Sequence, residues 1–118
     1  MFTDAERRRY GLTDERVALV AYCLQRTSQE MGFPVDLNFI RKATRRAAIL
    51  EAKAHFTKGL TVLGGDEWTK TDVMRVIGAA HGSSVSGHLQ KAYKIWSPRY
   101  WRGFQIRARS DFAVRAAA

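Results

Sequence analysis

Between His81 and Pro98 the chain places Ser83, Ser84, Ser86, Gln90, Lys91 and Lys94 among apolar residues that recur at Val85, Leu89, Ala92 and Trp96. These polar side chains end in hydroxyl, amide and ammonium groups, so the chemistry they offer is hydrogen-bonded recognition rather than bond making. The apolar positions fall at i, i+4, i+7 and i+11, which is one stripe of an amphipathic helix and leaves the polar residues on the other side. A helix of that kind fits the major groove of a DNA duplex. There Gln90 can pair with adenine, Lys91 and Lys94 with guanine or phosphate, and Ser84 and Ser86 with either base type, while Gly87 lets the helix lie close. Ser83 and His88 are expected at the adjoining phosphates. The competing expectation is a helical hairpin whose outer side is merely solvated, with His88 a polar boundary residue.

Charge favours the first expectation. The 118 residues carry 20 Lys and Arg against 11 Asp and Glu, a formal net charge of +9, which favours polyanionic partners. The excess is uneven: residues 31–60 hold six positive and two negative charges, and residues 97–118 hold five and one. The first block is Arg41, Lys42, Arg45 and Arg46, expected against phosphate or the minor groove. The second is Arg99, Arg102, Arg107, Arg109 and Arg115, with Arg99 and Arg102 as further phosphate contacts. Trp101, Phe104, Ile106 and Phe112 interleave with the second block, and burying such rings removes large apolar areas from water, so they are expected to pack inward.

Catalysis and metal binding find no support. His55, His81, His88 and Cys23 lack any C-x-x-C or H-x3–5-H spacing, and neither Ser84 nor Ser86 has a legible base with an orienting acid. Gly64-Gly65-Asp66-Glu67 copies four letters of the diguanylate cyclase signature without the strand-rich surroundings such a site needs. The expectation is a non-enzyme without cofactor.

The elements that must position these residues can be read from caps and periodicity. Thr13 is an N-cap with Leu12 and Val17 as a hydrophobic staple; Val17, Val20, Ala21 and Leu24 continue at helical spacing, and Gly32 ends that helix. Asp36 caps a short helix through Ala43. Thr44 offers a cap for a helix carrying Ile49, Leu50, Lys53, Phe56 and Leu60, ending at Gly59, with a loop over residues 61–67. Thr69 and Asp72 begin another helix, with Trp68 and Val73 as its staple, and after a turn Ser83 or Ser84 caps the polar helix described above. Residues 104–109 alternate, which suits a short strand or a continued basic helix.

The order of these elements resembles the DNA-binding C-terminal domain of the bacterial replication initiator DnaA. Ile77-Gly78-Ala79-Ala80-His81-Gly82 is similar to that domain's IGxAFG stretch, Leu89, Ala92 and Trp96 fall ungapped on its buried positions, and the likeness covers residues 13–96. It implies that the basic loop with Arg41, Lys42, Arg45 and Arg46 touches the minor groove and backbone. The family's DHTT readers are replaced by Val85-Ser86-Gly87-His88, so the initiator's own site is not the implied target, and no ATPase part is present. Such domains occur without a motor in the gene transfer agent activators of the GafA and GafY type, which this Arg- and Ala-rich chain resembles.

Together these readings predict a mainly all-α chain: an N-terminal segment at 1–12, a helix-turn-helix domain at 13–96 and a basic arm or short strand at 97–118. The expected protein is a cytoplasmic, nucleoid-associated transcription regulator of bacteria. Its expected partners are double-stranded DNA, RNA polymerase or another DNA-binding protein, and a second copy in a homodimer. The alternative is a protein-interaction module, such as a phage-type inhibitor or polymerase-binding factor, whose basic surface meets an acidic partner. Nothing in the chain approaches the roughly 20 apolar residues of a membrane span, no secretory signal is legible at Met1–Tyr10, and a lone Cys23 suits a reducing compartment.

Overall fold

A computed structural model describes the backbone of residues 1–117 and the side chains of residues 1–114, so the side chain of Arg115 lies outside the described residues. Its elements are α1 (Asp4–Arg9), α2 (Asp14–Met31), α3 (Leu37–Ile40), α4 (Ala47–Gly64), a 3-10 turn (Gly65–Glu67), α5 (Lys70–Ile77), α6 (Gly82–Ile95) and α7 (Pro98–Ala117). Among the described residues there is no strand, and no helix is long and apolar enough to cross a membrane.

Local chemistry sets most helix starts. Thr13 Oγ accepts the Arg16 N–H, Asp36 accepts the Phe39 N–H, and Thr69 with Asp72 forms a reciprocal capping box. Thr3 and Glu6 form a second box and start α1, an element that the spacing Thr3-x-x-Glu6 carried and that sequence reasoning missed. At Gly32, φ of 79° ends α2 in the left-handed conformation that glycine adopts without strain.

Helix α4 runs through the middle of the molecule and packs against α2, α3, α5, α6 and α7. A helix surrounded on most sides must be apolar or small around most of its circumference, and Ala52, Ala54, His55, Phe56, Thr57, Gly59 and Leu60 are all buried. Three sequence expectations change here. Gly59 does not end the helix: the Phe104 ring lies against it, so close that an added Cβ would stand 3.1 Å from Cζ. The helix continues to Gly64 and the supposed loop becomes its last turn plus the 3-10 turn, because Trp68 folds back over Gly64, where a Cβ would overlap the indole. Thr44 is not the cap either; α4 starts after Arg46, and Thr44 Oγ accepts the Arg46 N–H from outside the helix.

The C-terminal segment is neither a free arm nor a strand. It is helix α7, whose Trp101, Phe104 and Ala108 are buried and whose neighbours are α4 and α2. The apparent alternation of Phe104, Ile106 and Ala108 misleads because only Phe104 and Ala108, four apart, face inward; Ile106 is 60% exposed. The extra neighbour also widens the buried face of α2, where Tyr22, Cys23 and Arg26 are covered while Ala21 is exposed.

Around α7 lies a second core of Ala54, Ala92, Trp96, Trp101 and Phe104, threaded by polar contacts. His55 shares 2.7 Å hydrogen bonds with Thr27 Oγ1 at Nδ1 and with the Tyr100 hydroxyl at Nε2. Burial first, and the nearby Arg26 charge second, push its pKa down to about 4 against the pull of Glu30. Arg26 donates to the Tyr22 hydroxyl at 2.7 Å and the Phe104 carbonyl at 3.2 Å, and the Tyr22 hydroxyl donates to Asp111 at 2.6 Å. The Cys23 thiol is fully enclosed, and burial pushes its pKa up, which keeps it unreactive.

Candidate nucleic-acid interface

Helix α5 ends at Gly78 with φ of 72°, and residues 78–81 turn the chain into α6. The cap of α6 is His81 in extended conformation, without a side-chain hydrogen bond, rather than Ser83 or Ser84. The helix therefore begins two or three residues earlier than serine capping predicts, and both hydroxyls are left free for an outside partner. Val85 and Ala92 are buried, Trp96 seals the end and Leu89 is half-buried, so α6 docks on α4 and α5 through the stripe that periodicity places inside.

The opposite side is a polar ridge. Ser83, Gly87, Gln90 and Lys94 recur at i, i+4, i+7 and i+11 and are all exposed, with Ser84 exposed beside them. Among the described residues none of the four side chains of Ser83, Ser84, Gln90 and Lys94 hydrogen-bonds within the protein. Gly87 has no internal reason to be glycine: a Cβ there would meet open space, although a mid-helix glycine costs about 1 kcal/mol relative to alanine. Lys91 and Ser86 sit on the two flanks and are half-buried. Ser86 Oγ accepts from Lys70 Nζ at 2.7 Å, so its hydroxyl is already engaged inside the protein.

Lysine 53 joins the first basic block to α6. Its ammonium, which burial pushes toward a lower pKa, donates to the Lys42 carbonyl, and it lies near enough to His88 to depress the imidazole pKa together with Lys91, after burial as the first cause. Lys53 is half-buried with its ammonium at the Lys42 carbonyl, so a residue read as part of the helix stripe is instead a cation of the candidate surface. Lys70, at the start of α5, contributes likewise on the Ser86 flank. Sequence reasoning missed both, and their only signal was a basic residue near the N-terminal end of a helix that packs on α6.

The basic loop divides. Arg45 and Arg46 are exposed and without an acidic partner among the described residues, and Lys42 is exposed with its ammonium 5.7 Å from the Phe39 ring centre. Arg41 differs: its guanidinium donates to the Val76 carbonyl at 2.9 Å, the Arg75 carbonyl at 3.2 Å and the Glu6 carboxylate at 3.3 Å. It caps the end of α5 and holds α1 there, so Arg41 is committed inside the protein. Thr3's backbone N–H, and then Arg41, keep the Glu6 carboxyl below the usual carboxylate range.

Arg99 and Arg102 are exposed on α7. Residues 37–50 and 73–110 contain no Asp or Glu, so the loop and all of α6 are free of acidic side chains. Acidic residues gather elsewhere, as where Arg16 joins the Glu67 carbonyl and Asp72 at the start of α2. Of the histidines, His55 is enclosed, His81 is exposed in the turn and His88 lies on the α6 flank. Among the described residues no three His, Cys, Asp or Glu side chains converge as a metal site would require.

No family model matches this chain, and searches of curated proteins and of solved structures found no significant similarity.

Proposed function

We propose that the protein is a sequence-specific regulator of transcription that binds double-stranded DNA, with α5 and α6 as its helix-turn-helix. The observation that carries this reading is the outer ridge of α6: hydrogen-bonding side chains without internal partners, flanked by cations, on an element free of carboxylates. In the bound state Gln90, Lys94, Ser84 and Lys91 face base edges, with Ser86 able to join them only by leaving Lys70. Gly87 lets the helix seat closely. Lys42, Lys53, Arg45 and Arg46 neutralise phosphates and release counterions, which makes affinity fall steeply with salt, while Ser83 and His88 hydrogen-bond to the adjoining phosphates. The resemblance to the DnaA C-terminal domain supports the same assignment and suggests phage-like or gene transfer agent genes as targets, with the chain at work in the bacterial nucleoid.

The test is a titration of random-sequence and selected duplexes at several salt concentrations. Affinity for random duplex should drop steeply with salt, and one selected sequence should bind at least about a thousandfold tighter. Gln90→Ala should weaken the selected site by about 1–3 kcal/mol and leave random duplex unchanged, whereas Arg45→Ala should weaken both. A protein that ignores duplex DNA at low salt, or a Gln90→Ala loss equal on every sequence, would falsify the assignment.

A further inference from the structure

A groove of about 560 Å³ runs between α2, α4 and α7, lined by Leu19, Leu63, Ala108 and Phe112 and edged by Gln105 and Arg109. It continues past Leu19, Leu63 and Phe112 toward Trp68 and Gly64. Along its α7 side stands an exposed ridge of Arg102, Ile106 and Arg109 at i, i+4 and i+7, with Arg99 one turn before. Ile106, between two of these arginines, is 60% exposed and adds apolar surface at the edge of the groove. Arg99, Arg102 and Arg109 have no acidic partner among the described residues; the ion pair on α7 is Arg107 with Asp111, and Asp111 also accepts the Tyr22 hydroxyl.

We infer that this groove docks an acidic amphipathic helix of another protein, with large apolar side chains entering between Leu19, Leu63 and Phe112 and carboxylates meeting Arg102 and Arg109. Charge and shape choose this occupant. A DNA phosphate has no use for an apolar floor or for Ile106, since its contacts are hydrogen bonds and ion pairs. A second copy, itself a chain of net charge +9, would add to the overall repulsion rather than answer these arginines with acidic side chains. At the far end of the groove Arg16 stands between Glu15 and Glu67 and is already engaged by the Glu67 carbonyl and Asp72, so the cations without an acidic partner are those on α7, and the acidic side of the partner is held there. None of these residues belongs to the α6 surface, and Arg102, expected from the sequence at a phosphate, is assigned here to the partner's carboxylates instead, so this docking site is tested separately from the α6 reading.

The experiment follows the fluorescence anisotropy of a labelled synthetic helix, glutamates on one face and leucine and phenylalanine on the other, titrated with the full chain. Ala113→Trp fills the groove mouth from an exposed position, and Arg109→Glu reverses the charge beside it. Each should weaken binding about tenfold or more, or roughly 1.4 kcal/mol, as should shuffling the peptide so that its two faces mix. An unchanged Tm verifies both folds; if Ala113→Trp melts early, the double variant Arg102→Glu with Arg109→Glu decides. Absence of saturable binding, equal binding of the shuffled peptide, or indifference to the charge reversal overturns the proposal. So does a dimer in sedimentation that Ala113→Trp dissociates, which would put a second copy in the groove, or an equal loss of random-duplex binding in Arg109→Glu, which would make the face a DNA surface.

Discussion

Helices α6 and α7 follow one another with only Trp96 and Ser97 between them, and both mix aromatic or aliphatic residues with cations, yet they serve opposite ends. α7 sinks Trp101 and Phe104 into a core that already holds His55 and Trp96, with ring centres 5.0–5.9 Å apart among His55, Trp96, Trp101 and Phe104 where they meet. α6 buries little more than Val85, Ala92 and part of Leu89 and turns a ridge of free hydrogen-bonding groups outward. Aromatic burial makes α7 a structural wall whose removal should unfold the protein. The α6 ridge contributes almost nothing to folding, and residues without a folding role are the ones free to serve recognition.

The largest expected effect tests the wall. Phe104→Ala removes a ring packed on Gly59, Trp101 and the Arg26 guanidinium, which stands 4.0 Å from the ring centre, and should cost about 3–5 kcal/mol in urea unfolding. A loss under about 1 kcal/mol would mean that α7 is a dispensable arm after all.

Next is pH. His55 has its pKa lowered to about 4 by burial, against an ordinary value of 6.5, so between those values the unfolded chain binds the proton and the native state does not. Stability is therefore complete above about pH 6.5 and falls by an amount on the order of 3 kcal/mol as pH drops to about 4. His55→Gln should flatten this part of the curve relative to the wild type. An identical slope in both proteins would assign the loss to carboxylates instead.

Arg41→Ala should cost about 1–3 kcal/mol in Tm-derived stability, because it orphans the Arg75 and Val76 carbonyls and frees Glu6. Arg45→Ala, four residues on, should leave Tm unchanged and lower DNA affinity alone. Equal behaviour of the two arginines would erase the distinction drawn within the loop.

The smallest effects on stability belong to the ridge: Gln90→Ala and Lys94→Ala should each alter unfolding by less than about 0.5 kcal/mol. On the flank, His88 has its pKa lowered by burial and by Lys53 and Lys91, so acidification below the usual imidazole range adds a charge there. DNA affinity should rise as pH falls, and His88→Gln should abolish the rise in a binding titration.

Caps, staples and stop signals at Thr13, Gly32, Asp36 and Thr69 depend on neighbours three or four residues away, and the inner stripe of α6 depends on one helical period. These, with the mainly helical character and the excess of basic charge, were legible from the chain alone. The extension of α4 past Gly59, the helical state of residues 98–117 and the widened face of α2 were not. Each depends on a distant partner: Phe104 against Gly59, Trp68 over Gly64, Asp111 on Tyr22. The same holds for the basic residues, where composition cannot tell Arg41 from Arg45. Only the tertiary structure decides that one guanidinium closes the end of a helix while the other faces solvent, because hydrogen-bond partners remote in sequence have no local signature.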